Sequence, residues 1–115
     1  MPLTSMIPLL TAARRDGYAV GQFNFHNMDG LLAILKAAEE KNSPVILGPL
    51  FLPPRAITAM IRELAADSSV PVAVTLDHGQ SFEQCDEWGQ FTDAVSLNEQ
   101  ENMRRRLIEL EGAEQ

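Results

Sequence analysis

An acid and an imidazole stand side by side at Asp77 and His78, directly after the apolar run Val70-Pro71-Val72-Ala73-Val74-Thr75-Leu76. A carboxylate can take or give a proton, and an imidazole can do the same or ligate a metal. Gly79 lets the chain turn sharply or lets a ligand approach the backbone. In a parallel α/β sheet, ligands bind beyond the C-terminal ends of the strands, where such a triplet falls. The bland alternative is a strand end finished by ordinary polar residues, and residue types alone leave both readings open.

A second polar group, Asn24, His26 and Asn27, follows the run 18–24 and by the same argument shares a face with Asp77 and His78. An asparagine amide can hold a substrate hydroxyl or carbonyl. It can equally form a turn or cap a helix. For His26, a histidine at a helix start is the simpler account than a metal ligand. Cys85 lies one turn into a predicted helix on its apolar side, and nothing in its window offers the base a nucleophilic thiol needs. Trp88 and Phe91 read as packing residues. The chain has no Gly-x-Gly-x-x-Gly, no Walker loop and no His-Glu-x-x-His. With only two histidines, it can assemble three zinc ligands only by recruiting Cys85, carboxylates or residues from elsewhere.

The elements that must position these residues alternate. A helix is expected over 4–15, capped by Thr4 or Ser5, with Met6, Leu9, Leu10 and Ala13 as its apolar side and Gly17 ending it. A strand follows over 18–24. A helix over 29–41, capped by Asn27 or Asp29, turns Leu31, Ile34, Leu35 and Ala38 inward. The second strand, 43–48, is apolar throughout and so covered on both faces. Pro54 suits the first position of a helix reaching about Asp67, with the stripe Ile57, Met60, Ile61, Leu64 and Ala65. The third strand is 70–76. Ser81-x-x-Gln84 is a capping box opening a further helix. Strands alternating with amphipathic helices predict right-handed βαβ units and a parallel sheet. Residues 92–97 are a weak candidate for a fourth strand, and Asn98-x-x-Glu101 for the start of a last helix.

Composition sets the outer limits. One domain is expected from 115 residues, 45% of them hydrophobic. That is far short of the roughly 250 residues of a closed (β/α)8 barrel. The formal net charge is −7, and residues 81–115 hold nine acids against three bases. The single basic run, Arg104-Arg105-Arg106, is flanked by acids and reads as a solvated helix face, so no nucleic-acid partner is expected. Apolar stretches fall far short of a bilayer span, and the first residues have no basic segment of a signal peptide, so no membrane partner is expected. With a single cysteine, the expected compartment is the cytoplasm.

Three blocks in this order resemble the N-terminal third of the class II, zinc-dependent fructose-bisphosphate and tagatose-bisphosphate aldolases. They are Gly17-Tyr-Ala-Val-Gly-Gln-Phe-Asn-Phe-His-Asn-Met28, Ala37-Ala-Glu-Glu-Lys-Asn-Ser-Pro-Val-Ile-Leu47, and Val70 to Gly79 with Ser81-Phe-Glu-Gln84. The resemblance implies a partial (β/α)8 TIM barrel of about three parallel strands behind an N-terminal helix. It implies reversible cleavage of a ketose 1,6-bisphosphate into dihydroxyacetone phosphate and glyceraldehyde 3-phosphate, with zinc as cofactor and a sugar bisphosphate as small-molecule partner. The family's acid–base aspartate falls on Asp77, its first zinc-ligating histidine on His78, and its enediolate-holding asparagine on Asn24.

The sequence also departs from that pattern. Leu50 stands where the family carries a serine or threonine facing the substrate, and a leucine offers no hydrogen bond there. The stretch Cys85 to Thr92 replaces a longer helix. Beyond it the Ser-His element of the fourth strand, the other zinc histidines and the glycine-rich phosphate loops do not follow. The chain therefore divides into a barrel-like portion, 1–92, and a divergent acidic helical tail, 93–115. One ligand of three makes turnover by this chain alone doubtful. An open wedge of strands leaves an unpaired edge, so a homo-oligomer or a partner protein is the expected cover.

Overall fold

The computed structural model describes residues 3–50, 52–79, 81–89 and 94–97, with 108 and 112. Of residues 78, 79, 82, 85, 89 and 94–97 it describes the backbone alone. The element order is α1 (Met6–Asp16), β1 (Gly21–Phe25), α2 (Met28–Glu40), β2 (Val45–Pro49), α3 (Pro54–Ala65), β3 (Val72–Gly79), α4 (Phe82–Gly89) and β4 (Ala94–Leu97). The strands form one parallel sheet in the order β1-β2-β3-β4. This is an unclosed arc of a barrel: α2, α3 and α4 each carry the chain from the end of one strand to the start of its neighbour.

Local signals set most boundaries. Ser5 caps α1, its Oγ accepting from Ile7 N, and Gly17 ends it in the left-handed region at φ 77°. Asn27 caps α2, its Oδ1 accepting from Gly30 N at 2.8 Å. Pro54 occupies the first turn of α3 behind Pro53, as its missing N–H permits. Buried Ser68 fixes the entry to β3 by accepting from Val70 N and donating to Val70 O. Ser81 Oγ accepts from Gln84 N at the start of α4.

The two faces of the sheet are covered differently. On the outer face Phe25, Val45, Leu47, Val72, Val74 and Leu76 pack with Leu31, Leu35, Ile57, Ile61 and Trp88 of α2, α3 and α4. Each such side chain withdrawn from water contributes about 1.5–3 kcal/mol before entropy is charged against it. On the inner face Ile46 and Ala73 pack with Leu9 of α1, so α1 closes the N-terminal end of the arc. Period-2 alternation then puts Gln22, Asn24, Gly48, Thr75 and Asp77 on the inner face, beyond the reach of α1.

Three expectations shift. The third strand continues through Asp77, His78 and Gly79, because pairing with β4 extends it: Thr75 and Leu76 oppose Ala94 and Val95, and Gly79 opposes Leu97 after an irregularity in register. The polar triplet is therefore part of the strand. Leu10 is exposed, so only Leu9 and Ala13 form the buried side of α1. Thr58, absent from the expected stripe of α3, is buried with its Oγ1 unpartnered among the described residues. The fourth-strand candidate forms within the expected range as β4, while the last helix proposed from Asn98 lies outside the described residues apart from 108 and 112.

Candidate active site at the C-terminal edge of the sheet

β1 and β3 are separated by β2, so a contact between their side chains must cross a strand. Adjacent strands lie about 4.8 Å apart, and the crossing spans about twice that. Asn24 of β1 makes it: its Nδ2 donates to Asp77 Oδ2 at 3.2 Å, linking residues 53 apart in sequence. Gly48 of β2 lies opposite Asn24 in the register. A Cβ built on Gly48 would overlap Asn24 Oδ1 and Gln22 Nε2. The bare glycine is thus the gap through which the β1 side chains lie across the sheet.

Gln22 completes the chain, its Nε2 donating to Asn24 Oδ1 at 2.6 Å. The direction of these bonds follows from Asp77. An ionised carboxylate only accepts, so Asn24 must present its NH2 to it and leaves its oxygen to accept from Gln22. One Nδ2 proton of Asn24 is engaged by Asp77, and the amide carries a second. Gln22 and Asn24 are exposed and Asp77 half-buried, so the cluster faces open space on the inner side of the arc.

The expected residues divide accordingly. Asn24 and Asp77 come together as a hydrogen-bonded pair. Asn27 is occupied as the cap of α2. His26 is exposed in the turn between β1 and α2. His78 has its backbone in β3 next to Asp77, and its side chain lies outside the described part of the structure, as does that of Cys85. Leu50 leaves the end of β2 with its N–H donating to Phe25 O at 3.0 Å, so its backbone extends the tie between β1 and β2. Gln22 and Gly48 were missed from sequence. Both carried a signal: Gln22 is two residues from Asn24 and hence on its face, and a glycine inside an apolar strand marks a close approach.

A catalytic zinc takes three protein ligands and an open position. Among the described residues no group of three or more His, Cys, Asp or Glu side chains gathers to hold a metal ion. Those residues alone do not fit the zinc that the resemblance implies.

Residues 4–102 match the family described as fructose-bisphosphate aldolase class-II. The chain belongs to the class II fructose-bisphosphate aldolase family. The match runs past β4, beyond Gln84, where the motif resemblance stopped. Among relatives, the probable fructose-bisphosphate aldolase of Bacillus subtilis (strain 168) is 48% identical over 93 residues, covering 74% of this chain and 33% of that protein. The fructose-bisphosphate aldolase of Staphylococcus aureus (strain Mu50 / ATCC 700699) is 45% identical over 95 residues, covering 76% of this chain and 33% of that protein. Among solved structures, the YdjI aldolase from Escherichia coli K12 superposes with a TM-score of 0.71 at 27% identity, over 81% of this chain and 38% of that one. The chain thus spans about a third of the length of these curated relatives.

Proposed function

We propose that this chain carries the proton-transfer and enediolate-holding portion of a class II aldolase site for a ketose 1,6-bisphosphate, and that it does not turn over substrate by itself. The observation that carries the reading is the Asn24–Asp77 hydrogen bond across Gly48. In the cleavage direction Asp77 takes the proton of the C4 hydroxyl. The C3–C4 bond then breaks, C4 becomes the aldehyde of glyceraldehyde 3-phosphate, and the bonding pair stays on the three-carbon ketone as an enediolate. The second Nδ2 proton of Asn24 serves an enediolate oxygen, and a donor aimed at developing charge is the kind of contact that lowers a barrier. Protonation at C3 gives dihydroxyacetone phosphate.

The family resemblance adds zinc as cofactor, with His78 as one ligand; the remaining donors would come from outside the described residues. Leu50 supplies no hydroxyl beside the substrate. The compartment that suits this chemistry is the cytoplasm. No described helix is long and apolar enough to cross a membrane.

The test is cleavage of fructose 1,6-bisphosphate and tagatose 1,6-bisphosphate by the purified chain with added zinc. The expected result is no turnover above the zinc blank. Turnover that disappears in Asp77→Ala would refute the incomplete-site reading.

A second reading is a non-catalytic α/β module that packs on a partner or a second copy through its open edge. The favouring observation is on β1, which pairs with β2 alone among the described strands. Phe23 beside that edge is 53% exposed. It lines an apolar groove of about 390 Å³ together with Gly21, Ala33, Ile34, Ala37 and Val45. An exposed aromatic side chain beside an unpaired strand edge is surface that a partner strand or a second copy could cover.

A further inference from the structure

We propose that two copies of this chain close into one eight-stranded parallel barrel, each arc seating residues 98–111 of the other in the groove outside β1. The inference rests on the module reading above and commits it to a second copy as the occupant.

Strand number and direction come first. The described sheet is parallel, with four strands in the order β1-β2-β3-β4, so β1 is one edge and β4 the other. A (β/α)8 barrel closes at eight strands. A two-fold axis along the barrel sets β4 of each copy beside β1 of the other. All eight strands then run the same way, the two seams are identical, and no edge remains. Because the rotation closes after two copies, the contact does not propagate into a filament.

The groove fits the element that such a seam delivers. In this arc α2, α3 and α4 each follow a strand and cover the outer face between it and the next. Phe23 lies on the outer face of β1 with its ring over Gly21, and Ala33 and Ala37 of α2 line the same groove. Across the seam, the segment that follows β4 of the second copy runs down it. Residues 98–111 are close in length to α2 and α3, which have 13 and 12 residues. Their sequence predicts a helix with Met103, Leu107 and Glu111 four apart on one side. The groove offers Ala33, Ala37 and Lys41 at the same spacing. Two helices leaving the same end of the sheet side by side set Met103 on Ala33, Leu107 on Ala37 and Glu111 on Lys41. Large side chains meet small ones in two turns, and acid meets base in the third.

α1 carries a matching remainder. It packs inside the N-terminal end of the arc through Leu9, yet Ile7 is 75% exposed and Leu10 42%. These two are three residues apart and share a side of the helix. In the ring the α1 helices of the two copies stand across the two-fold axis from each other, and Ile7 and Leu10 are the apolar side chains left for that contact. Closure also turns the open inner face that bears Asn24 and Asp77 into the wall of an enclosed mouth.

The experiment combines sedimentation equilibrium of the full chain with cysteine cross-linking across the seam. Wild type should form a species of twice the 12.7 kDa chain mass and nothing larger. For cross-linking, Cys85→Ser chains carrying Ala37→Cys are mixed with Cys85→Ser chains carrying Leu107→Cys and oxidised. A disulfide-linked dimer should form in the mixture and not from Ala37→Cys chains alone, whose two positions lie on opposite sides of the ring. Ala33→Cys with Met103→Cys, one turn higher in the seam, should behave alike and covers the case in which Leu107→Cys loosens the contact. Lys41→Glu should weaken association about tenfold, the scale of an exposed ion pair made repulsive at two seams, and Glu111→Lys should restore it. Monomers at every concentration, or a dimer in which neither pair cross-links, would overturn the proposal. If such an unlinked dimer is still lost in Phe23→Ser, the open-edge reading survives the failure of the ring; if it is untouched, that reading falls as well.

Discussion

Gly48 and Asn24 face each other across the β1–β2 ladder, and the missing Cβ at Gly48 lets the Asn24 side chain reach Asp77 on β3. The site is thus built from three strands rather than two, with the middle strand contributing an absence of side chain. Sheet order, register and one glycine act together to bring a distant amide to a carboxylate.

Gly48→Ala should separate stability from site geometry. The atoms in the way are the ends of two exposed side chains, which can swing aside, so the cost to folding is about 1 kcal/mol or less. The Asn24–Asp77 contact should nevertheless be lost. Urea denaturation should show a midpoint near wild type, and the Asn24 side-chain amide should lose its protected signal. Unfolding by several kcal/mol would mean the glycine serves the backbone instead.

Thr58→Val should stabilise the fold. The Thr58 hydroxyl is buried with no hydrogen-bond partner among the described residues. Burying such a group costs about 1–3 kcal/mol, and valine has nearly the same shape without it. A gain of about 1 kcal/mol is expected as a raised urea midpoint at unchanged slope. A loss on that scale would show that the hydroxyl has a partner.

Leu47→Ala should be severe. Leu47 is fully buried on the outer face of the central strand β2, within the cluster formed with α2 and α3. Large-to-small changes at such sites cost about 2–5 kcal/mol. That is a large share of the roughly 5–15 kcal/mol holding a domain together. Thermal unfolding should show a lowered midpoint, and a shift no larger than that of a surface substitution would contradict the packing described.

Phe23→Ser tests the open edge. Phe23 is half exposed, so its loss should barely change stability. If the groove beside β1 is an interface, sedimentation velocity should show wild type associating as concentration rises and Phe23→Ser staying monomeric. Identical sedimentation of the two would remove the apolar groove as a docking face.

Much of this organisation was legible in the residues. The capping of α2 by Asn27, the Pro54 start of α3 and the Gly17 stop of α1 rest on local backbone chemistry, which sequence carries directly. The apolar stripe of α3 and the unbroken apolar run of β2 were equally plain. The end of β3 was not, because its last residues are held in strand by β4, a pairing partner remote in sequence. Asn24 and Asp77 were each legible as polar residues near strand ends. Their bond was not, since it depends on a glycine two elements away. Gln22 was passed over because its contact with Asn24 appears only once both side chains are seen lying over Gly48.

The most direct test of the central claim is a double-mutant cycle on dihydroxyacetone phosphate affinity, with Asn24→Ala, Asp77→Ala and both together, read by calorimetry. If the two side chains form one binding unit, each single change should weaken binding about tenfold and the double change should add little. Equal affinity in all four proteins, or losses that simply add, would contradict the account.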